Sequence, residues 1–539
     1  MKVKKASWIA LLGILTIGAL DLTAQTTTAI LRGTVADPSA APIPGAEVTV
    51  TNTDTGLTRK VTTNEVGDYV VADLPYGPYE IVVVKQGFQR LSRKGVVLNI
   101  GDRVTANLQL AIGEFSETLN VNEEAPLLRT ADASLGQVID NVKVENIPLV
   151  GRSFDQLLYL APGSQVSPTG QYAGVSFIVS AGPAIGVSFN GMRTEMNEYQ
   201  LDGTRTTYPV FGSVSFYPSV ETLQEFRVET QNFSSELSRT AGGQVLLSTK
   251  SGTNAIHGSV YEFLRNDNLK ARDPFALTKP ETKSNLFGAT VGGPIFKDKT
   301  FFFGAYEGFR AVIPGTLSTT VPTDNDRNGI LTDPVLHPNP IIDPTTGSQF
   351  PGNIIPQGRI DPIATNVLAQ TPKPNISGFP NYTANTPTSR PFDQVNIRVD
   401  HNFGSLGRLF GRWSGQPGDS FTPRFVTVDP SSTHALGQNI VIGFDASTSR
   451  FFNSLRFGHT RQNTDSQNAL PEGLTPQSLG FPADGFQVNP KGVYFGIPNF
   501  RVQNYAEGFD GFGQRGGTPG DNQTRIFEIS DNMTLVRGT

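Results

Sequence analysis

Asn396-Ile397-Arg398-Val399-Asp400-His401-Asn402-Phe403 puts apolar side chains at 397, 399 and 403 and polar or charged ones at 396, 398, 400 and 402. A period of two marks a β-strand with unlike faces. The pattern recurs. Leu409 and Trp413 alternate with Arg408, Phe410 and Arg412, and Ile440, Ile442 and Phe444 face away from Asn439, Gly443 and Asp445. Phe527, Ile529, Met533 and Leu535 alternate with Glu528, Ser530, Asn532 and Thr534. Strands of a soluble sandwich alternate too. A charged set on one face and an aromatic set on the other fit a transmembrane barrel with a wet lumen better.

Composition agrees with a mainly β chain. Only 17% of the 539 residues are charged and 37% are hydrophobic, while 56 glycines and 38 prolines punctuate the sequence. That mixture favours short strands joined by turns over long helices. The net charge is −5, and no Lys/Arg-rich run follows the first five residues. Affinity for phosphate backbones comes from clustered cations, so no nucleic-acid partner is expected. The absence of cysteine excludes a disulfide scaffold and a thiolate metal site.

Met1-Lys2-Val3-Lys4-Lys5 is basic, Ala6 to Leu20 is apolar, and Ala24 offers a small residue before Gln25. This reads as a signal peptide over residues 1–24. No other stretch approaches the ~18–20 continuous apolar residues of a spanning helix, so any membrane passage is expected to be by strands.

Residues 28–112 read as short alternating runs, such as Ala46-Glu47-Val48-Thr49-Val50 and Tyr79-Glu80-Ile81-Val82-Val83-Val84, separated by turn residues. That spacing suggests a β-sandwich. Gly33-Thr34-Val35-Ala36-Asp37, Pro44-Gly45-Ala46-Glu47-Val48, Gly67-Asp68-Tyr69 and Leu74-Pro75-Tyr76-Gly77-Pro78-Tyr79 resemble the carboxypeptidase regulatory-like domain. The resemblance implies a transthyretin-like sandwich with tyrosines packed between its sheets. It implies no peptidase. A zinc peptidase needs a His-x-x-Glu pair and a further histidine, and none of the five histidines is followed by glutamate three residues on. No enzyme activity, no cofactor and no metal site is expected.

Glu117 to Asn122 alternates briefly, and two readings stand for it: a linker strand, or a segment similar to the TonB box of TonB-dependent receptors. In that resemblance Thr118, Leu119, Asn120 and Val121 pair by strand addition with TonB, a mode with loose sequence demands. Downstream, Asn146 to Phe154 and Leu157 to Gly163 resemble the opening of a receptor plug. Phe189-Asn190-Gly191-Met192-Arg193 and Asn197 to Gly203 resemble its central signature, with Asn190, Gly191, Arg193, Leu201, Asp202 and Gly203 in its key positions. Val220 to Val228 and Gly242 to Asn254 resemble its end. Residues 114–253 are thus expected to hold the TonB-box-like segment and an α+β plug. Asp202-Gly203 reads as a turn with positive φ. Glu225, Arg227 and Arg239 are charges for a polar barrel wall, or solvated and locally paired side chains.

Residues 256–539 are expected to be a partial outer-membrane barrel. His257 to Asn266, Phe287 to Ile295 and Lys299 to Arg310 resemble the first hairpins of the Oar-like TonB-dependent receptors, and the proline-rich stretch of about 311–390 is similar to a long loop of that group. Within it, Asp324-Asn325-Asp326-Arg327-Asn328-Gly329 looks like half an EF-hand loop. Val335 stands where the bidentate glutamate belongs, so a plain turn is the simpler reading.

A plug-bearing barrel has 22 strands and, at roughly 10 residues each, needs about 220 residues before any turn. The chain after residue 253, less the loop, falls short of that. About eight strands can be marked, and Arg537-Gly538-Thr539 carries no terminal aromatic. The chain is therefore expected to be the front part of a longer receptor.

The resemblance implies a receptor in the outer membrane of a Gram-negative bacterium, with the sandwich in the periplasm. It would import an unidentified extracellular solute or glycan with energy from the TonB complex. The alternative is a surface or adhesion protein that binds a macromolecule through its sandwich and loops. Tyr208, Phe211, Phe216 and Tyr217 are candidate ligand platforms, with structural packing as the competing reading.

Overall fold

A computed structural model of the chain describes residues 28–113, 118–121, 134–147, 152–166, 186–208, 214–234, 240–272, 281–313, 316–422, 431–448, 451–468, 473–482 and 520–535, with 149, 212, 237 and 279. The leader over 1–24, Phe211 and Arg239 lie outside the described residues.

The first unit is a two-layer sandwich. Its strands are β1 (Ala29–Ala36), β2 (Glu47–Asn52), β3 (Thr58–Thr62), β4 (Asp68–Leu74), β5 (Gly77–Val84), β6 (Arg90–Leu98), β7 (Arg103–Thr105), β8 (Leu108–Gln109) and β9 (Thr118–Val121). One sheet runs β4-β1-β7 with β8 also on β1; the other runs β3-β2-β5-β6-β9. Val48, Val50, Ile81, Val83, Leu108 and Leu110, inward by alternation, share one buried core. Burying each such side chain contributes roughly 1.5–3 kcal/mol, which is what holds the two layers together. Tyr69 and Tyr79 fill the same core, and their hydroxyls reach the carbonyls of Ala106 at 2.7 Å and Pro75 at 2.6 Å. Gly33 is needed because a Cβ there would stand 1.9 Å from the Ala106 carbonyl oxygen.

The middle unit holds β10 (Leu135–Ile139), helix α1 (Asn141–Asn146), β11 (Ser164–Val166), β12 (Val187–Phe189), β13 (Glu198–Leu201), β14 (Thr204–Arg205), β15 (Leu223–Gln231) and β16 (Gln244–Thr249). Asp140 caps α1 by accepting from the Lys143 N–H, which satisfies one of the first-turn donors. The main sheet runs β10-β15-β16-β13-β14, with β13 parallel to β16. Every residue of β13 and β16 is buried. The unit has its own core around Phe154, Phe189, Phe216 and Phe226. Leu246 packs instead with Leu237, Phe233 and Ile100 of the sandwich.

The third unit is one antiparallel sheet of nine strands. β17 (His257–Asn266), β18 (Lys283–Phe296) and β19 (Thr300–Ile313) lead into an excursion with β20 (Thr316–Thr319), α2 (Asp324–Arg327), α3 (Pro362–Ala369) and β21 (Tyr382–Asn385). The sheet resumes with β22 (Thr388–Ser389), β23 (Phe392–Asn402), β24 (Arg408–Thr422), β25 (Ser431–Ser447), β26 (Phe451–Asn468) and β27 (Gly520–Leu535). β22 and β23 both bridge β19 to β24, and β17 and β27 are the two ends of the order. The burial is inverted relative to a soluble sheet. Gln394, Asn396, Arg398 and Asp400 are buried, whereas Ile397 and Val399 are 51% and 41% exposed. Polar residues therefore face the middle unit and apolar ones face outward, as a barrel wall in lipid requires.

Short connections (297–299, 403–407) lie at one end of the sheet and long ones at the other. The sandwich sits at the short-turn end, where the Asn254 N–H donates to the Asp54 carbonyl at 2.8 Å. In the excursion, Asp324–Arg327 is a helical turn with a Thr323/Asp326 capping box. Asp326 pairs with His337 at 2.7 Å and Asp324 with Lys373 at 2.7 Å. Each of these two carboxylates thus has a charged or ring-nitrogen partner within the excursion.

Candidate functional site

The site begins with two like charges. In the β23–β24 register Arg398 stands directly opposite Arg412, on the inner face, and both are 3% exposed. Two buried guanidiniums so placed repel unless an anion lies between them. Asp202 of the middle unit supplies it. Its Oδ2 accepts from Arg412 Nε at 2.6 Å and its Oδ1 from Arg398 Nη1 at 3.3 Å. The Thr249 N–H and hydroxyl donate to the two oxygens, each at 2.9 Å. Arg398 also grips Asp400 through two bonds of 2.9 and 3.0 Å, and Arg412 bonds Ser414 and Asn439. Burial alone would raise the Asp202 carboxyl, but Arg412 and Arg398, with the Thr249 donors, hold it below the usual carboxylate range.

Local backbone chemistry puts Asp202 there. Asp202 (φ 51°) and Gly203 (φ 82°) form the left-handed turn between β13 and β14 that the Asp-Gly pair indicated. The parallel β13–β16 register sets Leu201 beside Leu247, which brings Thr249 within reach of the turn. Tyr76 of the sandwich then donates its hydroxyl to the Thr249 carbonyl at 2.7 Å. Sandwich, middle unit and barrel wall thus meet around one buried carboxylate.

A second contact lies near β17. Arg152 pairs with Glu221 in the middle unit, its guanidinium 4.6 Å over the Phe263 ring, while Tyr261 donates to Glu307 at 3.1 Å. Gln394 of the wall donates to the Tyr217 carbonyl at 2.6 Å.

The other sequence-predicted residues are dispersed. Asn190 (φ 51°) and Gly191 (φ 74°) make a turn, with the Asn190 amide donating to the Thr230 carbonyl at 2.8 Å. Leu201 is core and Arg193 is exposed. Phe216 and Tyr217 belong to the middle unit's core, where Tyr217 packs 5.4 Å from Phe154. Packing occupies these two rings, which corrects their reading as ligand platforms; Tyr208 is half-buried. Of the two readings for Glu225 and Arg227, the structure shows paired side chains away from the wall: Arg227 pairs with Glu229 at 2.7 Å, and both residues face the sandwich turn at 99–102, where the Ile100 N–H donates to Glu225 and Arg227 reaches the Gly101 carbonyl at 3.1 Å. Thr118–Val121 forms β9, laid parallel on β6 with Arg90 opposite Thr118 and Arg93 opposite Val121. Sequence reasoning placed Arg398 and Arg412 on an inner face but missed that they share Asp202. The available signal was their mutual register across the hairpin.

Residues 248–539, more than half of the chain, match the outer membrane beta barrel domain family, and residues 30–111 match the carboxypeptidase regulatory-like domain. The chain belongs to the outer membrane beta barrel domain family. It is 30% identical over 301 residues to the TonB-dependent transporter Oar of Myxococcus xanthus, covering 52% of this chain and 27% of that protein. It thus spans about a quarter of the length of this relative. Among solved structures, the outer membrane transporter YddB from Escherichia coli aligns with TM-score 0.41 at 11% identity, over 62% of this chain and 40% of that one. The alcaligin outer membrane receptor FauA from Bordetella pertussis aligns with TM-score 0.36 at 10% identity, over 62% and 48%. Likenesses this distant transfer no residue roles.

Proposed function

We propose that this chain serves as a TonB-dependent outer-membrane transporter for an extracellular solute. In this reading the middle unit is the plug and Thr118–Val121 is the segment that TonB engages from the periplasm, where the sandwich also lies. The observation that carries the reading is the Asp202 junction. A separate unit is held against the polar face of a barrel wall by the buried ion pairs of Asp202 with Arg398 and Arg412. Ionic contacts of that kind give a defined seat that a directed pull can break. β9 adds support. It is the last strand of its sheet, and a parallel edge strand directs alternate N–H and C=O groups outward, where another strand can add.

The surface-binding alternative is favoured by one feature, the ordered long excursion, in which Arg359 pairs with Asp343 at 2.5 Å and Arg327 donates to the Thr371 and Pro372 carbonyls at 3.1 and 2.7 Å. The two readings separate on TonB. Proline at Leu119 or Val121 removes a strand donor. The transporter reading expects either variant to lose at least tenfold in binding of the purified TonB periplasmic domain to the full chain in detergent. No binding by the unmutated chain, or equal binding by the variants, sinks that reading and leaves surface binding.

A further inference from the structure

A second buried ionic cluster, unused by the transport reading, forms where the sandwich meets the barrel wall. β4 lies at the edge of its sheet, yet Val71 to Leu74 are all buried. One side of the strand rests on the sandwich core and the other on β25 and β26. The β1–β4 register passes from Leu31↔Val71 to Ala29↔Leu74, so Ile30 stands opposite two residues, Ala72 and Asp73. A bulge of this kind re-aims a side chain, and Asp73 takes the left-handed conformation (φ 56°) that aspartate tolerates.

Asp73 is 5% exposed, and the groups that face it are Arg59 of β3, Tyr79 of β5, Arg408 of β24, Asp445 of β25 and Arg456 of β26. Asp445 already holds two of the three arginines, Arg408 at 3.0 Å and Arg456 at 2.5 Å, and accepts from Ser454 at 3.0 Å. Asp73 is left with Arg59 at a long 3.4 Å, and its Oδ1 has no hydrogen-bond partner. An ionised Asp73 is thus a buried carboxylate beside a second, better-served one, with an oxygen unmatched, which is an expensive arrangement. Burial first, then Asp445, push the Asp73 carboxyl up to about 8 against the pull of Arg59, Arg408 and Arg456. A cleft of about 1090 Å³ lined by Arg59, Val71, His401 and Phe452 reaches the junction from the short-turn end and admits water.

We infer that this junction is a proton-linked latch: the sandwich seats on the barrel wall with Asp73 protonated and is released when that proton leaves. The direction follows from linkage. Released into water, Asp73 titrates near its ordinary value of about 3.9, so the seated form binds the proton more tightly and seating takes one up. Seating therefore weakens as pH rises, by up to about tenfold per pH unit between the two titration ranges, and levels off above about 8. The inference needs the barrel and the sandwich but not TonB, so it stands or falls apart from the transport reading.

The chain has no cysteine. Val97→Cys on the sandwich and Leu406→Cys on a short barrel turn, at positions 59% and 72% exposed, therefore accept a pair of nitroxide labels in the full chain in detergent. Pulsed electron resonance then reads the distance distribution from about pH 5 to 9. The expected result is one short-distance population at acid pH that gives way to a longer one, with the ratio changing at least tenfold. In Asp73→Asn, neutral at every pH, the short population persists throughout. A flat ratio in the labelled protein with Asp73 intact overturns the latch. So does a slope that survives in Asp73→Asn, because another group would then carry the proton.

Discussion

β2 and β23 are written in the same period and read with opposite sign. In β2 the buried set is Val48, Val50 and, at the strand end, Asn52, and Glu47, Thr49 and Thr51 alternate with them. In β23 the buried set, beyond Phe392 at its start, is polar: Gln394, Asn396, Arg398, Asp400 and Asn402, and the apolar Ile397 and Val399 look outward. Alternation says that a strand has two faces, and the chemistry of those faces says which solvent each one meets. A sandwich in water hides its apolar face in a core. A wall in lipid turns that face outward and must satisfy its polar face against water or another part of the chain. The sandwich can therefore be stable by itself, whereas the inner face of the wall asks for a partner and takes one from the middle unit at Asp202.

The contrast is tested most severely at Asp202. Asp202→Ala leaves Arg412 without its carboxylate and Arg398 with Asp400 alone, and removing one member of a buried ionic set costs about 3–5 kcal/mol. Urea unfolding of the full chain in detergent, followed by tryptophan fluorescence with Trp413 beside Arg412, should show that loss. An unchanged midpoint would mean that water already compensates the arginines. Because the Asp202 carboxyl is held below its ordinary range, its contribution is complete above the free titration range and is lost as pH falls through the depressed one. That is opposite in sign to Asp73, so acid should loosen the middle-unit contact while it tightens the sandwich contact. A smaller effect belongs to the sandwich core. Ile81→Ala removes a fully buried side chain and should cost about 3–4 kcal/mol of sandwich stability, read as a lower thermal midpoint for that unit with the barrel signal intact. Smallest is the mirror-image change, a charge on the lipid face. Ile397→Arg at mid-strand should cost about 2–3 kcal/mol and lower the yield of heat-modifiable folded barrel. If it is neutral, the outward face of β23 does not meet lipid.

Much of this organisation was legible in order. The turn at Asp202-Gly203, the tyrosines of the sandwich and the inner and outer sets of β23, β24, β25 and β27 follow from rules that act over a few residues, and the structure agrees with each. Readings stayed open where a residue's partner lies far along the chain. Glu225 and Arg227 were readable as charges needing partners, but nothing local distinguishes a barrel wall from the Ile100–Asp102 turn. Phe216 and Tyr217 sit in a run of aromatics that suits a ligand platform but more often marks a core, and Phe154, some sixty residues earlier, decides for the core. Asp73 drew no notice, since a lone aspartate near a strand end normally marks only a turn. The two-for-one register with β1 is what aims it at Arg408, Asp445 and Arg456.

By itself, then, the sequence determined strand periods, which face of each strand is charged and the positions of the turns. These depend on sterics and side-chain polarity within one or two strands. Only the tertiary structure decided that Arg398 and Arg412 share the carboxylate of Asp202, that Tyr76 reaches Thr249, and that β9 lies along β6. Such contacts depend on how whole sheets are set against one another, and that relation is fixed by the packing of many residues together, with no local rule to announce it.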